Sequence, residues 1–363
     1  MPEKVKACVM EGANKPITIK EFPLLSPDAY SLTVKIDMAS ICGTDLHMWR
    51  GRRVVPFPLV PGHEGVGRVY KLGDKIKVDS AGCQINVGDR LVWSHVLHCR
   101  NCYYCFIKKD PSGCQNKTIY GYISCRDPPY LNGTFAEYMY LRQNTVFYKV
   151  PDGLSDEMVV PASCALGTAI NGIERARINL VDNVLVQGIG PLGLYCIALA
   201  KERGAKKVIA IGEQGIRADM AKLFGADYLI DRIKLNTDQR IQKVTELFDG
   251  RGADLAIECS GYSSVISEGV EMLDHGGRYL LLGTASENVD TLRINPSRIT
   301  LRRLTLIGSR ATEPHHLLEA INFLQRTKTP LEKMVSHKFH LENAEQAFQE
   351  YERLSVVKAA LIP

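Results

Sequence analysis

No apolar run in this chain approaches the roughly 18 residues that a membrane-spanning helix needs. The opening, Met1-Pro-Glu-Lys-Val-Lys-Ala-Cys-Val-Met10, carries charges where a secretory leader would place its apolar core. Long basic blocks are missing too: 45 Lys and Arg stand against 40 Asp and Glu, a net charge of only +5. Composition therefore implies no nucleic-acid partner and no membrane. Neither internal repeats nor low-complexity segments interrupt the chain. What remains is 363 residues, 45% hydrophobic and 23% charged, enough for two domains with cores of their own. The eleven cysteines are odd in number and several are clustered, which suits a reducing compartment. A soluble, cytoplasmic protein is expected.

Four of those cysteines, Cys99, Cys102, Cys105 and Cys114, fall within sixteen residues. Two-residue gaps let a single turn of backbone aim several thiolates at one ion, so the spacing suits a closed tetrahedral zinc site. A zinc held by four thiolates has no open position. Such a site holds a loop in place, and the chemistry must lie elsewhere. The competing readings are a disulfide or buried free thiols.

Up to about Pro161 the chain reads as short strands broken by Gly, Pro and Asp, among them Leu32–Ile36, Gly65–Tyr70 and Asp89–Trp93. That pattern argues for a barrel-like β domain. Beyond it, apolar strands (Val184–Gln187, Lys207–Ile211, Tyr228–Ile230, Leu255–Ile257, Arg278–Leu282) alternate with helical runs, the signature of a doubly wound parallel sheet. The overall class is α/β. From about Ser309 the chain returns to helix and closes on a short strand at Ala359–Ile362.

Gly188-Ile-Gly190-Pro-Leu192-Gly193 follows the first of these strands and opens a helix. In that context the glycines mark a dinucleotide site: Gly188 for the turn, Gly190 for approach to a pyrophosphate, and Gly193 for close helix–sheet packing. At the end of the next strand the usual acidic position is Gly212, with Glu213 one place later and Arg217 in the following helix. Glu213 favours NAD by disfavouring a 2′-phosphate; Arg217 would welcome one, leaving NADP as the alternative.

Cys42-Gly-Thr44-Asp45-Leu-His47 and Gly62-His63-Glu64-Gly65 place a Cys and a His in turns between strands, each suited to bind a metal. Spacing alone does not join them. Taken in order with the cysteine cluster and the glycine fingerprint, however, these motifs resemble the zinc-dependent medium-chain alcohol dehydrogenases over essentially the whole chain. The resemblance implies a GroES-like catalytic domain (1–164, with a structural zinc lobe at about 95–116), a Rossmann NAD(P)-binding domain (165–308) and a return to the catalytic domain (309–363). It implies two zinc ions per chain and a homodimer or homotetramer. It further implies a hydride passed between a small primary or secondary alcohol or polyol and NAD(P).

Carried over by position, Cys42, His63 and Cys164 are the expected ligands of the catalytic zinc. Glu64 matches a carboxylate beside the metal, and Asp45 an acceptor that orients His63. Thr44 and His47 match a proton relay, and Lys358 a basic residue for the cofactor pyrophosphate. Eight residues separate Cys105 from Cys114, one more than usual, so Cys125 competes as a ligand. Trp49 is expected to narrow the substrate pocket. Arg50, Arg52 and Arg53 form a basic run that suits an anionic substrate or simple solvation. Two other readings are a zinc-free quinone or enone reductase, which would lack the cysteine lobe and the ligands, and a cofactor-binding protein without catalysis.

Overall fold

A computed structural model of the protein describes residues 3–283 and 294–363. It divides into two compact units. The first comprises Met1–Cys164, Thr312–Arg326 and Glu332–Pro363; the second comprises Ala165–Ala311 and Thr327–Leu331. No helix among the described residues is long and apolar enough to cross a membrane.

The first unit is built on a seven-stranded sheet. Its order runs Val335–His340, Lys358–Ile362, Leu32–Ser40, Glu64–Leu72, Arg90–Trp93, Phe147–Lys149, with Tyr138–Leu141 also paired to Leu32–Ser40. Leu32–Ser40 is the hub. It pairs antiparallel with Glu64–Leu72 from Leu32↔Leu72 to Ser40↔Glu64, and at its far end Ser40 faces Ala360 of the C-terminal strand. This register brings the residue after Ser40, the start of Glu64–Leu72 and the start of the last strand to one end of the sheet. Gly67 permits the pairing, since a Cβ there would lie 2.3 Å from the Lys35 carbonyl oxygen. The core behind the sheet gathers Leu32, Val34, Ile36, Met48, Trp49, Trp93, Phe135 and Phe348, all buried.

The second unit carries a six-stranded sheet, parallel throughout. Its order is Tyr228–Asp231, Lys207–Gly212, Asn183–Gln187, Ala253–Glu258, Leu273–Leu281, Thr305–Gly308. The order reverses between Asn183–Gln187 and Ala253–Glu258, the topological switch point at which such sheets bind ligands beyond their carboxyl ends. Central strands such as Val184–Val186 and Leu255–Ile257 are buried on both faces, as a sheet covered by helices on each side requires.

Candidate active site

Cys42 precedes the helix Gly43–Trp49, and its extended backbone (φ −100°, ψ 155°) caps that helix. His63 immediately precedes the strand Glu64–Leu72, while Cys164 sits on a single π-helical turn, Ala162–Leu166. Turns of this kind re-aim one side chain and concentrate at functional sites. Ligand atoms of Cys42, His63, Glu64 and Cys164 all lie within 4.8 Å of one another. The Cys42 and Cys164 sulfurs are 4.0 Å apart. Two thiolates on one tetrahedral zinc, at about 2.3 Å each, stand about 3.8 Å apart, so the pair fits the ion.

Asp45 is buried and divides its carboxylate between two groups. Oδ2 accepts the Cys42 backbone N–H at 2.9 Å, and Oδ1 meets His63 Nδ1 at 3.2 Å. Pinning Nδ1 in this way leaves Nε2 for a metal, the usual carboxylate–histidine support of a ligand. Burial, the largest single influence, lowers the His63 pKa, but the charge and hydrogen bond of Asp45 together with those of Cys42 outweigh it and hold the imidazole well above its ordinary range. The hydrogen bond between the two sulfurs draws the Cys42 thiol well below the ordinary thiol range and pushes Cys164 well above it. Thr44 Oγ1 accepts from Cys42 Sγ at 3.6 Å. His47, one turn further along the helix, keeps part of its surface in solvent. Partial burial, with the Arg52 charge second, lowers its pKa.

In the second cluster, ligand atoms of Cys99, Cys102, Cys105 and Cys114 also fall within 4.8 Å of one another, with the Cys99 and Cys114 sulfurs 3.5 Å apart. The backbone N–H of Cys105, ahead of other contacts, brings the Cys102 thiol down to about 6. Amides of the turn thus favour a thiolate, the form that binds metal. The extra residue before Cys114 is absorbed between the short helix Tyr103–Phe106 and the 3-10 turn Pro111–Gly113. Cys125 stands outside the cluster, buried against Val5, Leu24, Val60 and Leu131. All eleven cysteines are unpaired, so the disulfide reading is overturned.

In the second unit, Gly188 has φ +97°, and a Cβ there would lie 3.0 Å from the Ser260 amide nitrogen. Gly190 caps the helix Pro191–Glu202 and faces open space. A Cβ on Gly193 would fall 1.9 Å from the Gly188 carbonyl oxygen. The turn is therefore closed by two glycines and left open at the third, beside half-buried Leu192. An open cradle at a helix N-terminus fits a pyrophosphate.

Comparison with known proteins finds relatives along essentially the whole chain. The alcohol dehydrogenase GroES-like domain model matches residues 28–152, and the zinc-binding dehydrogenase model matches residues 191–326. The chain is 31% identical over 360 residues to 5-exo-hydroxycamphor dehydrogenase of Pseudomonas putida, covering 98% of each chain. The chain belongs to the zinc-dependent medium-chain dehydrogenases. D-arabinitol dehydrogenase 1 of Uromyces fabae is 28% identical, covering 100% of this chain and 98% of that one. An alcohol dehydrogenase from Thermotoga maritima superimposes with a TM-score of 0.93 at 31% identity, covering 99% of this chain and 100% of the other. Membership makes this dehydrogenase an NAD(P)-dependent alcohol oxidoreductase of α/β fold with a GroES-like and a Rossmann-like part.

Two expectations for the dehydrogenase need correction. Lys358 does not stand free for a cofactor phosphate. It is buried, with Nζ 2.5 Å from Glu64 Oε2 and 3.2 Å from the Ile41 carbonyl oxygen. Burial, the largest single influence, opposes its charge, but Glu64 together with Cys42 and Tyr351 outweighs that and holds the ammonium well above its ordinary range. Glu64 Oε2 also accepts from Ser40 Oγ at 2.5 Å, whereas Oε1 is buried with no hydrogen-bond partner among the described residues. An orphaned carboxylate oxygen beside two thiols and an imidazole is a further sign of an absent cation.

Trp49 does not narrow a substrate pocket either. It is buried in the core, edge-on to Phe348 at 5.5 Å, and its Nε1 donates to the Lys15 carbonyl.

Near the glycine turn, Glu213 is ion-paired with Arg232, and Arg217 is half-buried at the start of the helix Ile216–Leu223. A Cβ on Gly212 would lie 2.2 Å from the Ile189 side chain, which explains why no acid stands at the strand end itself.

Sequence reasoning overlooked His95. It is buried, its ring lies 5.3 Å from that of His63, and its Nδ1 is 2.8 Å from the carbonyl oxygen of Ser163, next to Cys164. No spacing motif includes it.

Proposed function

We propose that this dehydrogenase holds two zinc ions and oxidises a primary or secondary alcohol or polyol, or reduces the matching carbonyl, with NAD. The observation that carries the proposal is the convergence of Cys42, His63 and Cys164, which span 122 residues of sequence, within 4.8 Å. These three would hold the catalytic zinc, with Glu64 beside them. Cys99, Cys102, Cys105 and Cys114 would hold a structural one. When bound, zinc supplies Lewis acidity that lowers the pKa of an alcohol, and nicotinamide supplies the hydride acceptor.

The chain's own residues do the rest. Asp45 orients His63 and anchors the Cys42 backbone, so that both donors are set before substrate arrives. In this reading Thr44 Oγ1 takes the substrate hydroxyl proton and His47 passes it to solvent. These two are three residues apart on one helix and so share a face. The lowered pKa of His47 keeps it neutral and able to accept at neutral pH. Gly188, Gly190, Leu192 and Gly193 receive the cofactor pyrophosphate.

Glu213 supports NAD. The NADP reading has one observation of its own, since Arg232 neutralises Glu213 and adds a guanidinium nearby. We also propose a cytoplasmic location, in keeping with cysteines that form no disulfide, and a homo-oligomeric state, which the family resemblance implies.

Metal analysis is expected to give two zinc per chain, and Cys42→Ala one. Cys42→Ala should lose turnover yet still bind NADH. Turnover retained by that variant would overturn the site. Fluorescence titration should show tighter NADH than NADPH, and the reverse order would favour the second reading.

A further inference from the structure

A cation stands beside the ligand cluster with no acid among the described residues close enough to pair with it. Tyr122 lies edge-on to His63, with ring centroids 6.0 Å apart and planes at 62°. The Arg53 guanidinium lies over the Tyr122 ring, 4.9 Å from its centroid. The backbone N–H groups of Arg52 and Arg53 donate to the His47 carbonyl at 2.8 and 3.2 Å. This ties the arginine segment to the helix that carries Thr44 and His47.

The three arginines of the run differ in their surroundings. Arg50 is ion-paired with Glu352 and lies over the Trp49 ring. Arg52 is exposed. Arg53 is half-buried, and among the described residues no carboxylate lies within 4.0 Å of its guanidinium. Stacking on an aromatic ring offsets part of the cost of partly burying a charge. It does not satisfy the in-plane N–H fork, whose geometry matches a carboxylate or a phosphate. The charge also reaches the site's titrating groups, since it opposes protonation of His47 and favours ionisation of Tyr122.

We propose that Arg53 determines specificity for an alcohol that carries an oxyanion, a carboxylate or a phosphate. The hydroxyl-bearing carbon would be presented to the Cys42–His63–Cys164 cluster and the anion received by the guanidinium above Tyr122. The inference rests on the alcohol-oxidising reading and names the substrate class within it. The anion is a spectator. The carbinol C–H bond breaks with its electron pair going to nicotinamide, the hydroxyl proton leaves, and the bonds of the anionic group are unchanged. Because the contact is the same before and during hydride transfer, its benefit should appear in KM.

The test uses the full-length enzyme with zinc and cofactor, and substrates in matched pairs. One pair is 3-hydroxybutanoate with 3-hydroxybutanamide; the other is sorbitol 6-phosphate with sorbitol. In one pair the anion should be favoured in kcat/KM by about tenfold or more, as a charge-assisted fork contact allows. The pair that responds identifies the oxyanion. Arg53→Gln should bring the ratio to about 1, with the loss in KM, whereas Arg53→Lys should retain part of it. Taking a ratio cancels any general loss of activity in a variant. The proposal is overturned if neither anion is preferred, if Arg53→Gln leaves the preference intact, or if Arg52→Gln abolishes it equally. Turnover without anion preference sinks this inference alone. No turnover of any of these alcohols with NAD or NADP sinks the alcohol-oxidising reading as well.

Discussion

Replacing Lys358 with Met removes one charge from a fully buried pair and leaves the other stranded. Lys358 Nζ and Glu64 Oε2 are 2.5 Å apart, with side-chain exposures of 1% and 0%. At an effective dielectric of 20 the attraction across that distance is about 7 kcal/mol. Desolvation of the two ions takes back much of it, so the net worth of the pair is small. Breaking the pair is a different matter. Glu64 would keep the Ser40 hydroxyl as a donor but lose its counter-ion in a site closed to water. The expected cost is about 3–5 kcal/mol. Both tryptophans, Trp49 and Trp93, are buried in the same unit as Lys358, so urea unfolding followed by tryptophan fluorescence reports on the right part of the chain. The double variant Glu64→Leu with Lys358→Met should recover most of the loss, because it strands no charge. A single variant within about 1 kcal/mol of the parent, or a double variant no better than the single, would refute the reasoning. Had Lys358 served a cofactor phosphate, NADH affinity would fall while the unfolding midpoint held.

Other expectations follow from the same geometry. Asp45→Asn can accept only one of the two donors its carboxylate now serves, so zinc affinity at the Cys42 site should fall about 10–100-fold, measured by chelator competition. Parent-like zinc retention would count against the orienting role. Burial lowers His95 from 6.5 to about 3. The unfolded chain therefore binds an extra proton between those values, and stability should drop as pH falls through that window by up to about 1.4 kcal/mol per pH unit. His95→Gln should flatten the acid-side slope by that amount, and an unchanged slope would contradict the assignment. Gly193→Ala drives a Cβ into the Gly188 carbonyl and should weaken NADH binding more than about tenfold by fluorescence titration. Zinc content should hold, as the ligand clusters lie in the other unit.

Features that depend on near neighbours in sequence were legible without the structure. The glycine turn requires a left-handed φ at Gly188 and no side chain at Gly193, demands met within six residues, so composition and spacing reveal it. The four-cysteine lobe is equally local, and an extra residue between Cys105 and Cys114 did not disturb it because a loop takes it up. The helices and strands of the parallel sheet were readable for the same reason: their hydrophobic period is a property of each segment.

Tertiary structure decided what distant segments do to one another. Cys42 and Cys164 are linked by no spacing, and only a π-helical turn meeting a helix cap brings their sulfurs to 4.0 Å. Lys358 reads in sequence as a cation for the cofactor pyrophosphate because the sequence records its charge and not its neighbours. Pairing of the C-terminal strand with Leu32–Ser40 carries it beside Glu64, where low dielectric makes an ion pair obligatory. Trp49 likewise follows the relay residues in sequence yet turns into the core, while Arg53, four residues on, stays at the site. Local chemistry is written in adjacent residues. The partners of a buried charge are set by sheet register, which a single stretch of sequence does not carry.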